Sequence, residues 1–224
     1  MKPLAIDLYC GLGGWTEGLL AEGYYVIGFD IEQHVYGEHR YPAQLVLQDV
    51  LTLHGSQFKD AALIVASPPC QAYSYRAMPW KRAKALPPPD NSLFEACFRI
   101  QREASEAAGH HIPLVVENVR GAQPWVGRAR WNSGSFYLWG DVPALMPVLP
   151  ARKVAGFRFD GSGGSFQSAA VRQGWFNDYP RTPDSLASSG SGSAKRKRAS
   201  ALIAKIPEPL ARHVARTYRP RVAA

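Results

Sequence analysis

The residues in this chain best suited to chemistry stand at the ends of short apolar runs. Cys70, in "SPPCQAYS" (residues 67–74), closes one such run behind two prolines. Pro68 and Pro69 stop a strand, stiffen the turn and hold the thiol at the strand's end, a placement suited to a nucleophile. Such a thiol needs an acid or base beside it in space. Glu117, in "VVENV", is the candidate, because an acid directly behind apolar residues is partly desolvated and burial favours its neutral form. Cys97 lies on the apolar face of a predicted helix and reads as a small core residue. With three cysteines and no CxxC pair, neither a disulfide framework nor a zinc site is expected, and no metal is assigned.

A second group points to a ligand. "DLYCGLGGWTEGL" (residues 7–19) reads as a strand, a glycine turn and a helix start. Gly11, Gly13 and Gly14 let the backbone come close to a ligand at the helix N-terminus. The spacing is not that of the dinucleotide fingerprint. Asp30 ends the run "VIGF", about 20 residues after the glycines, where an acid can take the two hydroxyls of a ribose. Asp49 ends the next run on the same edge. The three groups suggest a nucleoside-containing cofactor without a pyrophosphate.

These residues need a frame. Five apolar runs, "LAIDLYC", "YYVIGF", "AQLVLQ", "ALIVA" and "IPLVV", occupy the first 120 residues, each ending in Gly, Pro, acidic or amide residues. Near-continuous runs of this kind read as strands of a parallel sheet covered on both faces. Between them, "GWTEGLLAEG" and "SLFEACFRIQREASEAAG" have helical spacing, the second through Leu93, Phe94, Cys97, Phe98 and Ala104, with Ser92 and Glu95 as a capping box. The alternation predicts an α/β fold, a doubly wound Rossmann-like sheet, with the polar clusters at the carboxyl ends of the strands where ligands bind. "GSFYLWG" (residues 134–140) adds a strand, in an antiparallel pair at the sheet edge.

Charge divides the chain. Residues 1–150 hold 12 Lys/Arg against 14 Asp/Glu, whereas residues 151–224 hold 14 against 4. The basic C-terminal third is suited to phosphate backbones. Residues 143–194 are rich in Pro, Gly and Ser and end in the linker "SLASSGSGSAKRKR". Helical spacing resumes through Leu202, Ile203 and Ile206. After a proline break it continues through Leu210, Val214 and Tyr218, with Pro209 in a first turn. The expected organisation is a catalytic domain over 1–142, a small irregular recognition segment and linker over 143–194, and a basic run with helices returning to the catalytic domain over 195–224. No run of about 18 apolar residues and no charged leader is present, so a soluble, cytoplasmic, monomeric protein with no membrane partner is expected.

Taken in order and spacing, these motifs resemble those of the DNA (cytosine-5)-methyltransferases. "DLYCGLGG" resembles the family's cofactor glycine motif, "SPPCQAYS" its Pro-Cys-Gln nucleophile motif and "ENV" its Glu-Asn-Val motif. "DNSLFEACFRI" is similar to the helix between the last two, "GRAR" to the Arg-x-Arg, and "IPEPLARHVA" to the closing helix. The resemblance covers about 1–142 and 195–219, and the chain looks like a short, phage-type member of the kind found in restriction-modification.

The resemblance implies S-adenosylmethionine as cofactor, S-adenosylhomocysteine as product, and a cytosine flipped out of double-stranded DNA. Cys70 thiolate would add to carbon 6 while Glu117 steadies the proton at ring nitrogen 3, making carbon 5 nucleophilic enough to take a methyl group. Loss of the carbon 5 proton and expulsion of Cys70 would end the cycle. Gln71 belongs to the nucleophile motif, Asn118 would brace its loop, and Arg130, or else Arg128, would bond near the flipped base. Asp30 would hold the ribose, Ile31 would lie against the adenine ring and Asp49 would contact the adenine amino group. Leu8, Tyr9, Gly11, Leu12, Gly13, Gly14, Val50 and Pro69 complete the implied cofactor site.

Some features depart from the family. The glutamine usual ahead of the Arg-x-Arg is replaced in "PWVGRAR", which leaves the choice between the two arginines open. The family's large recognition domain is reduced to about fifty residues, so a short or relaxed target is expected. DNA contacts are expected from Ser74, Arg76, Trp80, Lys81, Arg82 and Lys84 in a loop closing over the duplex. Arg128 and the run Lys195, Arg196, Lys197 and Arg198 would grip phosphates. Two alternatives stay open: a cytosine-5 methyltransferase of tRNA, and a DNA-binding member of the fold that turns nothing over.

Overall fold

In the computed structural model the described residues are 2–74, 87–149, 197–198, 201–202 and 204–220. The chain divides into two compact units, Met1–Leu149 with Ile206–Ala224, and Pro150–Lys205. The site lies in the first.

That unit is built on a seven-stranded sheet. β1 (Leu4–Leu8), β2 (Tyr25–Asp30), β5 (Gln44–Leu47), β6 (Ala61–Ala66) and β7 (Leu114–Asn118) pair in parallel. β9 (Phe136–Gly140) and β8 (Trp131–Ser133) close one edge antiparallel, Glu117 standing opposite Leu138. The strands lie in the order β5-β2-β1-β6-β7-β9-β8. The sheet is the doubly wound one expected from the apolar runs, with the expected antiparallel edge. A short hairpin of β3 (Val35–Tyr36) and β4 (His39–Arg40) is an addition that its brief, mixed sequence did not announce.

Period-two alternation sends the central side chains to both faces. Ile6, Leu8, Ile64 and Ala66 join one core with Phe94, Cys97, Ile100 and Ala104 of α2 (Ser92–Ala108). Ala5, Leu63, Val65 and Val115 join the other, under α1 (Gly14–Ala21) and α4 (Glu208–Tyr218). A one-turn helix, α3 (Gln123–Val126), follows β7.

The start of α2 corrects one expectation. Ser92 and Glu95 form no capping box; Asn91 is the N-cap residue and caps through no side chain. The Asp90 carboxylate takes the Ser92 amide at 2.8 Å, while the Asn91 side chain accepts from the Tyr73 hydroxyl at 2.9 Å. A negative charge just ahead of a helix meets the free amides and the dipole together, so the cap moves ahead of the serine.

α4 docks on α1 through a backbone-close contact. A Cβ on Gly18 would lie 2.4 Å from the Ala211 Cβ and 2.6 Å from the Arg212 amide nitrogen. Glu22 at the end of α1 receives Arg212 at 2.7 Å and Arg216 at 2.9 Å, and Tyr24 donates to the Ala215 carbonyl at 2.9 Å. Among the described residues no helix is long and apolar enough to cross a membrane.

Candidate active site

The strand order places a topological switch between β1 and β6, where chain connections depart in opposite directions and open a crevice at the carboxyl edge. The turn after β1 and the loop after β6 therefore face each other. The Ser67 amide donates to the Leu8 carbonyl at 3.2 Å, and the Trp15 indole donates to the Ser67 hydroxyl at 3.0 Å.

The turn after β1 contains Tyr9 (φ 57°), Gly11 (φ 50°) and Gly13 (φ 78°), all in the left-handed region. Tyr9 tolerates it because its hydroxyl is anchored on the Leu93 carbonyl at 2.8 Å. Gly13 is required by packing as well, since a Cβ there would meet Pro42 at 2.5 Å. Gly11 differs, with no atom within 4 Å of where a Cβ would stand. Open space over a backbone turn at a helix N-terminus is what a ligand in close approach needs.

Asp30 bonds this turn. Its Oδ2 accepts the Gly11 amide at 2.9 Å, and its Oδ1 accepts the Glu32 amide at 3.3 Å and faces His34 Nε2 at 3.6 Å. Burial works against ionisation, but the bonds from His34, Gly11 and Glu32 outweigh it and hold the carboxyl below the usual carboxylate range. Oδ2, with the Gly11 amide as its one partner among the described residues, keeps a lone pair for a hydroxyl. Beside it Ile31 is 74 % exposed, an unusual state for isoleucine and a flat apolar surface at the crevice. Asp49 Oδ1 takes the Leu51 amide at 2.9 Å, capping a short 3-10 turn at Val50–Thr52. Leu8, Leu12, Gly14 and Val50 are buried beneath this edge, whereas Pro69 is exposed. An ionised acceptor, an exposed apolar side chain and open backbone fit a nucleoside.

On the β6 side, Cys70 is half-buried at the start of a 3-10 turn, Gln71–Tyr73. Burial pushes its thiol up, contact with the Ser74 hydroxyl works the other way, and the Glu117 carboxylate adds to the rise. That last effect puts the two groups within electrostatic reach. Glu117, 9 % exposed at the end of β7, is pushed up to about 8 by burial, a hydrogen bond with Ser67 opposing the rise. Neighbouring Asn118 donates its side-chain amide to the Pro68 carbonyl at 3.0 Å and accepts the Val119 amide at 2.8 Å. A second tie lies one turn on, where Gly121 lets the Tyr73 carbonyl come within 2.1 Å of where a Cβ would be.

Gln71 is exposed beside Cys70. Ser74 folds back and donates to the Cys70 carbonyl at 2.9 Å. Arg128 and Arg130 are both exposed ahead of β8; the Arg130 amide is bonded to the Leu138 carbonyl at 2.8 Å, and neither guanidinium bonds to Cys70 or Glu117. Lys197 is exposed and Arg198 half-buried. Arg76, Trp80, Lys81, Arg82, Lys84, Lys195 and Arg196 lie outside the described residues.

Three features were not anticipated. Ser67 sits inside a motif noted for its cysteine, yet its bond to Trp15 depends on β6 lying beside β1. His34 joins Asp30 from the stretch before the hairpin. Asp7, buried under the glycine turn, accepts from Thr16 at 2.6 Å while its other oxygen has no partner, and burial pushes its carboxyl up to about 8. A cavity of about 860 Å³ along α2, bordered by Leu51, Phe98, Arg102 and Trp125, includes neither the nucleophile loop nor the glycine turn.

Comparison with known proteins bears on this edge. The family profile described as C-5 cytosine-specific DNA methylase matches residues 4–124, from the start of β1 into α3. Among solved structures, the chain is similar to a DNA modification methyltransferase encoded within an E. coli prophage, with 25 % identity over 54 % of this chain and 33 % of that one, at a TM-score of 0.37. It is similar also to the S. pombe Dnmt2 methyltransferase, with 18 % identity over 55 % of this chain and 36 % of that one, at 0.36. For the Entamoeba histolytica methyltransferase EhMeth the figures are 16 %, 56 %, 41 % and 0.40. The chain thus spans between 33 and 41 % of the length of these three proteins. No curated protein matches it. Because the profile match takes in more than half of the 224 residues and includes both the glycine turn and the Cys70 and Glu117 loops, the chain belongs to the C-5 cytosine-specific DNA methylase family.

Proposed function

We propose that the chain transfers a methyl group from S-adenosylmethionine to carbon 5 of cytosine in double-stranded DNA, acting as a monomer in the cytoplasm. The observation that carries this reading is the pairing at one crevice of a half-buried thiol, Cys70, with a desolvated acid, Glu117, that holds its proton at neutral pH. Asp30, Ile31, Asp49 and the backbone at Gly11 would hold the cofactor.

Cytosine is too electron-poor at carbon 5 to attack an electrophile unaided. Addition of the Cys70 thiolate to carbon 6 forms a carbon–sulfur bond and pushes an electron pair through the ring, while nitrogen 3 takes the proton from Glu117. Carbon 5 is then an enamine-like nucleophile. Bound at the glycine turn, the cofactor would supply the electrophilic methyl group that carbon 5 accepts. Transfer of the carbon 5 proton to water lets the ring electrons expel the Cys70 thiolate, and nitrogen 3 returns its proton to Glu117. While Glu117 is protonated, the repulsion that raises the Cys70 thiol is absent, so the neutral acid and the thiolate favour each other.

The test is mass spectrometry of nucleosides after incubation with S-adenosylmethionine and either duplex DNA or structured RNA. The expected product is 5-methyldeoxycytidine from DNA, absent with Cys70→Ala. A duplex carrying 5-fluorocytosine at the target should trap the protein in a complex that survives denaturant, because fluorine cannot leave as a proton does. Product from RNA alone would make RNA the substrate, and product from neither would make the chain a binding member of the family.

A further inference from the structure

The loop that carries Asp49 is held from outside by α2, through side chains that the catalytic reading does not use. The Arg99 guanidinium donates to the Leu51 carbonyl at 3.3 Å and to the Leu53 carbonyl at 2.9 Å. Glu103, one turn on, fixes that guanidinium at 3.1 Å from both of its carboxylate oxygens and also accepts the Gly55 amide at 2.6 Å. Gly55 lies so close to α2 that a Cβ there would stand 2.1 Å from the Ile100 carbonyl oxygen. Carbonyls at the end of a short helical turn lack partners within it, and a planar fork of donors meets two of them at once.

The turn so held is the one that Asp49 caps. Asp49 spends Oδ1 on the Leu51 amide at 2.9 Å, and its backbone carbonyl takes the Thr52 amide at 3.0 Å. Its Oδ2 takes no bond from any described residue. Leu51 thus has its amide on Asp49 and its carbonyl on Arg99, so a shift at Arg99 passes through one residue to the carboxylate. We propose that Arg99 and Glu103 are positioning residues for Asp49, and that they set the preference of the cofactor site for a nucleobase bearing an amino donor. The inference rests on the reading of Asp49 as a cofactor contact. A carboxylate oxygen only accepts, so within hydrogen-bond reach it favours an amino group and opposes a carbonyl oxygen at the same place. The Arg99 and Glu103 bonds fix that reach. The same helix anchors the glycine turn, where the Tyr9 hydroxyl donates to the Leu93 carbonyl at 2.8 Å, so both sides of the nucleoside site are set against one rigid element.

The test compares S-adenosylhomocysteine with S-inosylhomocysteine, which carries a carbonyl oxygen where adenine has its amino group, by calorimetric titration. The wild type should prefer the adenosyl compound by about 100-fold, because the inosyl compound leaves the carboxylate unpaired. Arg99→Ala should bring the preference down to about tenfold, since a misplaced acceptor recovers only part of the bond. Affinity for the inosyl compound should stay within a few-fold. Glu103→Gln, which keeps an acceptor for Gly55 but loosens the hold on Arg99, should fall between. Asp49→Ala should abolish the preference, and adding Arg99→Ala to it should change nothing more, because both act through one contact. If Arg99→Ala does not fold, Arg99→Lys, which keeps the charge but reaches only one of the two carbonyls, is read in the same way. A wild type that binds both compounds alike, or a preference unchanged in the folded Arg99 variant, would overturn the proposal; a merely structural role weakens both compounds equally. If the wild type binds neither compound, the cofactor reading fails, and amide hydrogen exchange in the free protein decides the positioning. The Leu51 and Gly55 amides should then exchange about tenfold faster in Arg99→Ala, and unchanged protection would overturn it.

Discussion

The Asn118 side-chain amide and the Pro68 carbonyl, 3.0 Å apart, join the end of β7 to the loop that carries Cys70. Asn118 is buried, and its oxygen is taken by the Val119 amide, so its orientation is set from both ends. Removing it leaves a carbonyl without its partner and a nucleophile loop free to drift. Asn118→Ala should lower kcat about 100-fold, the usual penalty for an ångström of misplacement. Stability should fall by about 1–3 kcal/mol. Single-turnover methyl transfer and urea unfolding measure the two effects. Cofactor affinity, read by calorimetric titration, should stay within a few-fold. A variant that loses stability with kcat unchanged would make Asn118 a purely structural residue.

Glu117 sets a pH dependence with a definite sign. Transfer needs neutral Glu117 and the Cys70 thiolate together, and because the thiol is held above its ordinary range the rate should climb with pH up to about 8 and decline only at higher pH, where both groups have lost their protons. Stability has a single sign. Ionisation starts near 4.5 when the chain is unfolded and is delayed to about 8 when it is folded, so between these values the folded state holds a proton that the unfolded state lacks. Stability therefore declines as pH rises across that window. Asp7 adds a decline of the same sign between 3.8 and about 8. Glu117→Gln should consequently melt several degrees above wild type at pH 9, each kcal/mol being worth about 2–4 °C in a chain of this size. At pH 4 the difference should vanish. Melting curves at the two pH values settle it, and a lower melting point for the glutamine variant at pH 9 would contradict the burial argument.

Two glycines should fail differently. In Gly18→Ala the new Cβ meets Ala211 and the Arg212 backbone well inside van der Waals distance, forcing α4 off α1. A cost of about 1–3 kcal/mol is expected. In Gly11→Ala the space is open and only the left-handed backbone at φ 50° resists, at about 1–2 kcal/mol. Denaturant unfolding should show both losses. Only Gly11→Ala should also weaken S-adenosylmethionine binding, since its new methyl group enters the crevice. Equal cofactor affinity in the two variants would separate Gly11 from the ligand site.

The basic run tests the division between positioning and reading of DNA. Replacing Lys195, Arg196, Lys197 and Arg198 together with glutamine should weaken target and non-target duplexes alike, because phosphates carry no sequence information. For every phosphate that the variant no longer grips, the slope of log affinity against log salt should flatten by about 0.9. S-adenosylmethionine affinity should hardly change. Fluorescence anisotropy over a salt series gives the slope. An unchanged slope with loss of target preference would mean that the run reads bases.

Much of this protein is legible without its fold. The apolar runs announce the strands because a doubly covered parallel sheet demands side chains that are apolar on both faces. The residues that interrupt them, Gly11, Asp30, Cys70 and Glu117, mark the carboxyl edge because polar and left-handed positions are tolerated only where strands end. What local pattern does not carry is which strand neighbours which. Sequence order would put β6 beside β5, yet it pairs with β1 and β7, and this pairing alone brings Ser67 to Trp15 and sets Cys70 against the acid. At the start of α2 the N-cap residue is Asn91, whose side chain is bonded to Tyr73 from another part of the chain, and the Ser92 amide is taken by Asp90. The position of Arg130, at the start of the outermost strand and without a bond to Glu117, follows likewise from an antiparallel register that its motif does not encode. Residue types and spacing determine the available chemistry; strand order and register, being non-local pairings, decide which of those residues meet.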